Sequence, residues 1–195
     1  MAVVTALRAQ RPGRVAVDLD GAAWRTLPAE PVLRAGLRVG VEIDRPTARR
    51  LRRELRRAEA LAVAGRALEA RDLSARLLEE RLRRRKVAPE ARREALAALE
   101  RAGVVDDRRV AASRASALAS RGYGDAAIAA DLERRGVPRE ASVEALRALA
   151  PEADRARKVV AERGAGTKTA RFLASKGFGE EAIESAFGAD FANRP

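Results

Sequence analysis

The stretch that decides the fold is GDAAIAADLERRGVPREASVEAL (residues 124–146). It aligns without gaps with SARLLEERLRRRKVAPEARREAL (74–96) and with AGTKTARFLASKGFGEEAIESAF (165–187). The coinciding positions are Leu82, Leu132 and Leu173; Val87, Val137 and Phe178; Glu90, Glu140 and Glu181; Ala91, Ala141 and Ala182; Ala95, Ala145 and Ala186; and Leu96, Leu146 and Phe187. This agreement predicts an internal repeat, the signature of stacked structural units.

Each copy has a helix that ends at a basic residue: Arg85, Arg135 or Lys176. The next residue is Gly136 or Gly177 in two copies, as expected where a helix ends in a left-handed residue, because glycine has no Cβ to clash. The first copy has Lys86 there, which should cost about 1 kcal/mol in the same conformation. A further helix follows, led by Pro89 or Pro138, because proline is tolerated in the first turn.

Each pair of helices is preceded by another helical segment, at about 58–71, 107–121 and 152–163. The predicted fold class is therefore all-α: three tandem three-helix repeats in an elongated, curved array, since a single unit cannot bury its apolar stripes alone. The predicted divisions are an N-terminal β-hairpin module (1–45), a linker helix with repeat 1 (46–105), repeat 2 (106–150) and repeat 3 (151–195).

The N-terminal module is predicted from alternation of apolar and polar residues around a turn. Val15, Val17 and Leu19 alternate with polar or small residues before Asp20-Gly21, a strong hairpin signal. A turn-rich stretch at 35–40 closes the module near Asp44. From Pro46 the spacing becomes helical, and Thr47 is the predicted cap.

Composition removes most catalytic chemistry. The chain has no Cys and no His, which excludes disulfides, Cys/His zinc sites and Ser-His-Asp triads. No phosphate-binding loop of the Walker type is present. We therefore expect a protein that is not an enzyme and needs no cofactor or metal. The chain lacks both an apolar run long enough to span a membrane and the apolar core of a signal peptide, so we expect a cytoplasmic protein. We expect a monomer, because no apolar seam is evident beyond the repeat core.

The net charge of +12 is unevenly distributed, because residues 1–57 carry 13 basic and 6 acidic side chains. This asymmetry indicates an anionic partner, either nucleic acid or an acidic protein surface. Two basic clusters are the candidate contact residues: Arg49, Arg50, Arg52, Arg53, Arg56 and Arg57, and then Arg81, Arg83, Arg84, Arg85 and Lys86. The first is equally compatible with an ordinary solvated helix face. The second is also explained by the favourable interaction of cations with the C-terminus of a helix.

Other conspicuous residues have structural interpretations. Asp106-Asp107 is a weak magnesium signal, and a helix N-cap is favoured. Gly122-Tyr123-Gly124 is too short for a phosphate loop and indicates a turn. Trp24 and Tyr123 could stack on bases, but single aromatics are more often packing residues. Phe172, Phe178 and Phe187 lie at or beside repeat-core positions.

Several of these motifs resemble the RecX family, and the resemblance extends over nearly the whole chain. They are Val17-Asp18-Leu19-Asp20-Gly21, Leu37-Arg38-Val39-Gly40, the junction Gly103-Val104-Val105-Asp106-Asp107, the helix end 132–137 and the segment 171–178. Val110 stands where the family usually has Phe, and Gly122-Tyr123-Gly124-Asp125 departs from the family's glycine element.

The resemblance implies a regulator that binds RecA filaments on DNA and suppresses RecA's ATPase, strand exchange and coprotease stimulation. It therefore implies a role in DNA recombination, DNA repair and the SOS response. The alternative is a non-specific DNA-binding helical-repeat protein that acts on single- or double-stranded DNA without RecA, since three-helix units can resemble helix-turn-helix modules.

Overall fold

The computed structural model of the protein describes residues 2–69 and 71–188, and these form ten helices and four strands. In chain order the elements are β1 (Ala2–Arg11), β2 (Arg14–Leu19), β3 (Ala22–Pro28), α1 (Ala29–Arg34), β4 (Glu42–Ile43), α2 (Arg45–Glu69), α3 (Ala75–Arg84), α4 (Pro89–Arg101), α5 (Asp107–Ala119), α6 (Asp125–Arg134), α7 (Arg139–Arg147), α8 (Glu152–Arg163), α9 (Thr167–Ser175) and α10 (Glu180–Phe187). The protein is mostly helical with a small N-terminal sheet, as predicted. No described helix is long and apolar enough to cross a membrane.

The chain divides into two compact units. Unit 1 consists of Met1–Ala70 and Glu79–Ala98, and unit 2 of Arg71–Leu78 and Leu99–Pro195.

The sheet of unit 1 is larger than the sequence predicts. Its order is β3-β2-β1-β4, with antiparallel neighbours, and the predicted hairpin at Asp20-Gly21 is confirmed as β2 and β3. Strands β1 and β4 and helix α1 were not predicted. The core of this module is apolar and is formed by Val4, Val17, Leu27, Val32, Ala35, Leu37 and Leu51. Trp24 is 41% exposed on β3, so its interpretation as a packing residue is wrong.

The predicted left-handed junction occurs after all three central helices. Lys86, Gly136 and Gly177 have φ angles of +57°, +71° and +80°. In each case the N–H of the following apolar residue donates to the carbonyl of the repeat leucine: Val87 to Leu82 (3.1 Å), Val137 to Leu132 (3.1 Å) and Phe178 to Leu173 (3.2 Å). This is the Schellman arrangement, which satisfies helix-end carbonyls while it turns an apolar residue back onto the helix.

Each junction follows a helix whose repeat leucine is buried. Leu82, Leu132 and Leu173 are all fully buried, and each contributes about 1.5–3 kcal/mol of burial free energy. In unit 2, helices α5–α7 enclose one core around Ile128 and Leu132, with Tyr123 packed against it. Helices α8–α10 enclose another around Leu173 and Phe178, with Phe187 packed against it. The core interpretation of Phe178 and Phe187 is therefore confirmed.

Within unit 2 the same junction is also the docking point for a neighbouring segment. The Gly124 N–H donates to the Lys176 carbonyl (2.9 Å), and the Ala126 N–H donates to the Gly177 carbonyl (3.1 Å). At the corresponding place one repeat earlier, the Ser74 hydroxyl donates to the Arg135 carbonyl. A Cβ on Gly124 would collide with the Gly177 backbone, so this close approach requires glycine.

Acidic residues reinforce these contacts. The first residue of α5, Asp107, accepts the Ala75 N–H at 2.9 Å, and the first residue of α8, Glu152, accepts the Asp125 N–H at 2.6 Å. Asp106 caps α5 by accepting the N–H groups of Arg108 and Arg109. The N-cap interpretation of the Asp106-Asp107 pair is therefore confirmed. No group of three or more potential metal ligands occurs within residues 2–69 and 71–188.

Lys86 is the one repeat junction residue that has a side chain. Since a left-handed residue with a Cβ costs about 1 kcal/mol or more relative to glycine, we expect Lys86→Gly to raise the free energy of unfolding by about that amount. Urea unfolding followed by circular dichroism measures the change. Lys86→Ala is the matched control, since it removes the same charge but keeps the Cβ; equal stabilities of the two variants would contradict the assignment.

Asp131 on α6 holds several arginines together. It accepts Arg114 Nε at 2.7 Å and Arg135 Nε at 2.8 Å, and its side chain is 16% exposed. The hydrogen bond from Arg114, opposed by burial and assisted by Arg135, holds the pKa of Asp131 well below its usual range. The same bond raises the pKa of Arg114.

We expect Asp131→Asn to lower the free energy of unfolding by about 1.5–3 kcal/mol at pH 7, because the hydrogen bonds lose their charge. Because the pKa of Asp131 is lower in the folded protein than in the unfolded chain, its ionisation stabilises the fold. This stabilisation is complete above the pKa of the unfolded chain, about 3.9, and is lost as the pH falls through the pKa of the folded protein. The difference between wild type and variant should therefore shrink below about pH 4. Asp72→Asn, at an exposed position of the same unit, is the control. A pH-independent difference would contradict the assignment.

Candidate functional site: an arginine-lined groove

Helix α2 carries the first basic cluster on its solvent side. In the first half of the helix, Leu51 is buried in the core of the N-terminal module and Leu55 is partly buried against it. Arg49, Arg50, Arg52, Arg53 and Arg56 are exposed, and Arg57 is partly buried. The helical period therefore separates the core stripe from the arginines, as the spacing predicts.

The start of α2 differs from the prediction. The helix begins at Arg45, and the carboxylate of Asp44 accepts the Thr47 N–H at 2.7 Å, so Asp44 is the cap and Thr47 lies buried within the first turn. Hydrogen bonding from Thr47 lowers the pKa of Asp44. The helix then runs without a break to Glu69, whereas the sequence suggested a separate segment from 58. A continuous helix presents its basic side chains at fixed spacing.

Helices α2 and α4 form the walls of a groove within unit 1, here called the α2–α4 groove. Its lining is Arg49, Arg52, Arg53 and Arg56 from α2, with Ala88, Pro89, Glu90, Ala91, Arg93 and Glu94 from the start of α4. Arg93 was missed by sequence reasoning, because it lies outside both basic clusters of the sequence and joins the first cluster only through the packing of two helices. Five arginines and two glutamates leave the groove positive.

The charges in this groove are only partly neutralised. Arg53 Nε donates to Glu94 Oε1 at 2.8 Å, which links the two walls. Arg49, Arg52, Arg56 and Arg93 form no ion pair with the part of the chain that the structure describes. Their guanidinium groups are available to carboxylates or phosphates, which they can bind in bidentate fashion. The arrangement can bind an anionic surface.

The two remaining arginines of the first cluster lie outside the groove lining. Arg50 donates to the Thr47 hydroxyl at 3.3 Å, and Arg57 pairs with Glu54 at 3.6 Å. They have local partners on α2 itself, which favours a structural role for them.

The second basic cluster is located at the C-terminal end of α3. Arg81, Arg83, Arg84, Arg85 and Lys86 are all exposed, and Arg84 Nη2 is 4.0 Å from Glu80 Oε2. None of the five lines the α2–α4 groove. At the C-terminus of a helix, these cations interact favourably with the helix dipole. Arg134 and Lys176 likewise lie at the ends of the other two central helices, which favours a structural role for the cluster.

Comparison with known proteins places this geometry in context. Residues 106–146 match the family model for the second three-helix domain of RecX. No curated protein matches the chain significantly. A crystal structure of regulatory protein RecX superposes with a TM-score of 0.80 at 20% identity, covering 93% of this chain and 97% of that one. RecX from Lactobacillus salivarius superposes with a TM-score of 0.60 at 16% identity, covering 67% and 94%.

The sequence match covers α5, α6 and most of α7, which contain the Asp106 cap, the Asp131 cluster and the Gly136 junction. The structural matches show that the fold around that segment is also similar. Residues 106–146 are therefore similar to the second three-helix domain of RecX, and the fold resembles that of RecX along most of the chain.

Proposed function

We propose that this protein binds RecA nucleoprotein filaments in the cytoplasm and inhibits RecA's recombinase, ATPase and coprotease activities. The proposal is carried by the match of residues 106–146 to the second three-helix domain of RecX, within a fold similar to that of RecX. In this account the protein acts by binding, without a cofactor.

We further propose that the helices form three tandem three-helix units. The support is local: three junctions with φ of +57°, +71° and +80° each follow a central helix and precede another helix. The first helices of these units are the end of α2, then α5 and α8. Three such three-helix units would present three similar surfaces. Differences in charge among these surfaces would then determine which of them binds the partner.

We assign the contact with the filament to the α2–α4 groove. Four of its arginines have no acidic partner within residues 2–69 and 71–188, whereas Arg114, Arg135 and Arg155 in unit 2 are paired with aspartates. Guanidinium groups without carboxylate partners are free to bind an anion without first breaking an ion pair. An acidic protein surface and the DNA phosphates of the filament both fit this chemistry.

The test is RecA's single-stranded-DNA-dependent ATPase, titrated with this protein well below the RecA concentration and in excess DNA. Wild-type protein should inhibit substoichiometrically. The triple variant Arg49→Glu, Arg52→Glu, Arg56→Glu should need an at least tenfold higher concentration for half inhibition, a loss of about 1.4 kcal/mol in binding. The matched control reverses the exposed residues Arg139, Arg147 and Arg171, with the same change in net charge.

A third variant reverses Arg83, Arg84 and Arg85 and tests the second cluster. Weaker inhibition with unchanged helicity would extend the contact to the end of α3, whereas unchanged inhibition would restrict the contact to the groove. If the groove variant and its control lost inhibition equally, the loss would reflect net charge alone and the groove assignment would be wrong. Inhibition that added DNA relieves, or that requires no RecA contact, would favour the alternative of a non-specific DNA-binding protein.

A further inference from the structure

A second groove lies in the N-terminal module of unit 1, between the end of the β1–β2 hairpin and helix α1. We call it the hairpin groove. The Ala29 N–H donates to the Gly13 carbonyl at 2.8 Å and ties the hairpin turn to the start of α1. Its lining is Leu7, Ala9, Gln10, Arg11, Pro12, Gly13, Arg14, Val15, Ala29, Val32, Leu33 and Leu37.

The floor of the hairpin groove is apolar and continuous with the core of the module. Val32 and Leu37 are buried in that core, and Leu7 and Val15 are partly buried against it. Leu33 is 76% exposed at the edge of the groove, the highest value among the large exposed apolar side chains of the described residues. A single exposed leucine is ordinary, but one beside a groove that opens onto the core provides an apolar contact surface.

The rim of the hairpin groove is positive. Arg11 and Arg14 are directly opposite each other in the β1–β2 register, and like charges at opposite positions destabilise a strand pair. The Pro12-Gly13 turn holds them there, with Gly13 at a φ of +76°. No acidic residue lines the groove. Arg14 donates to the Thr26 carbonyl at 2.9 Å, which positions its guanidinium without neutralising it.

We infer that the hairpin groove is a docking site for an acidic protein segment that places one bulky apolar side chain on the floor and carboxylates against Arg11 and Arg14. The bound carboxylates would relieve the repulsion between the two arginines. The apolar side chain would cover Leu33 and the exposed edges of Leu7 and Val15. This site is separate from the α2–α4 groove, and its existence does not depend on the proposed function.

Charge and surface chemistry select this occupant over two others. A nucleic-acid backbone would use the two arginines but would gain nothing from an apolar floor. A second copy of the chain would bring the same pair of arginines and a net charge of +12, so electrostatic repulsion opposes it. An acidic segment with an apolar anchor matches both features.

The probe is a fluorescein-labelled synthetic peptide, Asp-Asp-Ile-Leu-Asp-Asp, whose binding to the full chain is followed by fluorescence anisotropy. Two control peptides replace Ile-Leu by Ser-Ser, or all four Asp by Lys. The groove variants are Arg11→Glu with Arg14→Glu, and Leu33→Ser at its exposed position. The matched charge control is Arg25→Glu with Arg38→Glu, at exposed positions of the same module outside the groove.

We expect each groove variant to weaken binding of the acidic peptide at least tenfold, with circular dichroism unchanged, and the control variant to change it less than threefold. Both control peptides should bind at least tenfold more weakly. Absence of binding to wild type would overturn the docking site, as would equal binding of the Ser-Ser peptide. Self-association that Leu33→Ser abolishes would assign the groove to a second copy instead. The ATPase titration tests the α2–α4 groove and not the hairpin groove, so its result does not depend on the outcome of the peptide assay.

Discussion

The left-handed turn after each central helix is the constraint on which the helical part of this protein depends. It directs Val87, Val137 and Phe178 back onto fully buried leucines, and it leaves the carbonyls of residues 135, 176 and 177 open to a neighbouring segment. The backbone of this turn therefore ends one helix and places an apolar residue in the core. In unit 2 its carbonyls also accept hydrogen bonds from a neighbouring segment. Gly124 and Gly177 are required because two backbones meet there without room for a side chain.

Several carboxylates of unit 2 cap helices or pair with arginines inside the fold. The arginines that have no such partner are the ones available for binding. Asp106 caps a helix, Asp107 and Glu152 hold the start of other helices, and Asp131 forms ion pairs with both Arg114 and Arg135. Once these acids are engaged, arginines that face no acid are available to an anionic partner. In the α2–α4 groove, four such arginines line a single concave surface.

The helix ends and left-handed junctions were predictable because their signals are local: a glycine after a basic residue, a proline near the next start and leucines at matching positions. The unpredicted elements lack such signals. The pairing of β1 is interrupted by register shifts between Val4 and Ala6 and between Ala9 and Arg11, which blur the alternation. Asp44 and Thr47 are both good caps, and only the structure decides between them. Arg93 joins the groove through contacts between distant segments, which a linear sequence does not reveal.

Amide hydrogen exchange is the most direct test of the proposal that this chain binds a RecA filament through the α2–α4 groove. Exchange would be compared for the free protein and for the protein added to RecA filaments on single-stranded DNA. The account predicts slower exchange at residues 49–56 and 88–94, with no change at 139–147. Protection confined to residues 106–188 would contradict it and would move the binding surface to unit 2.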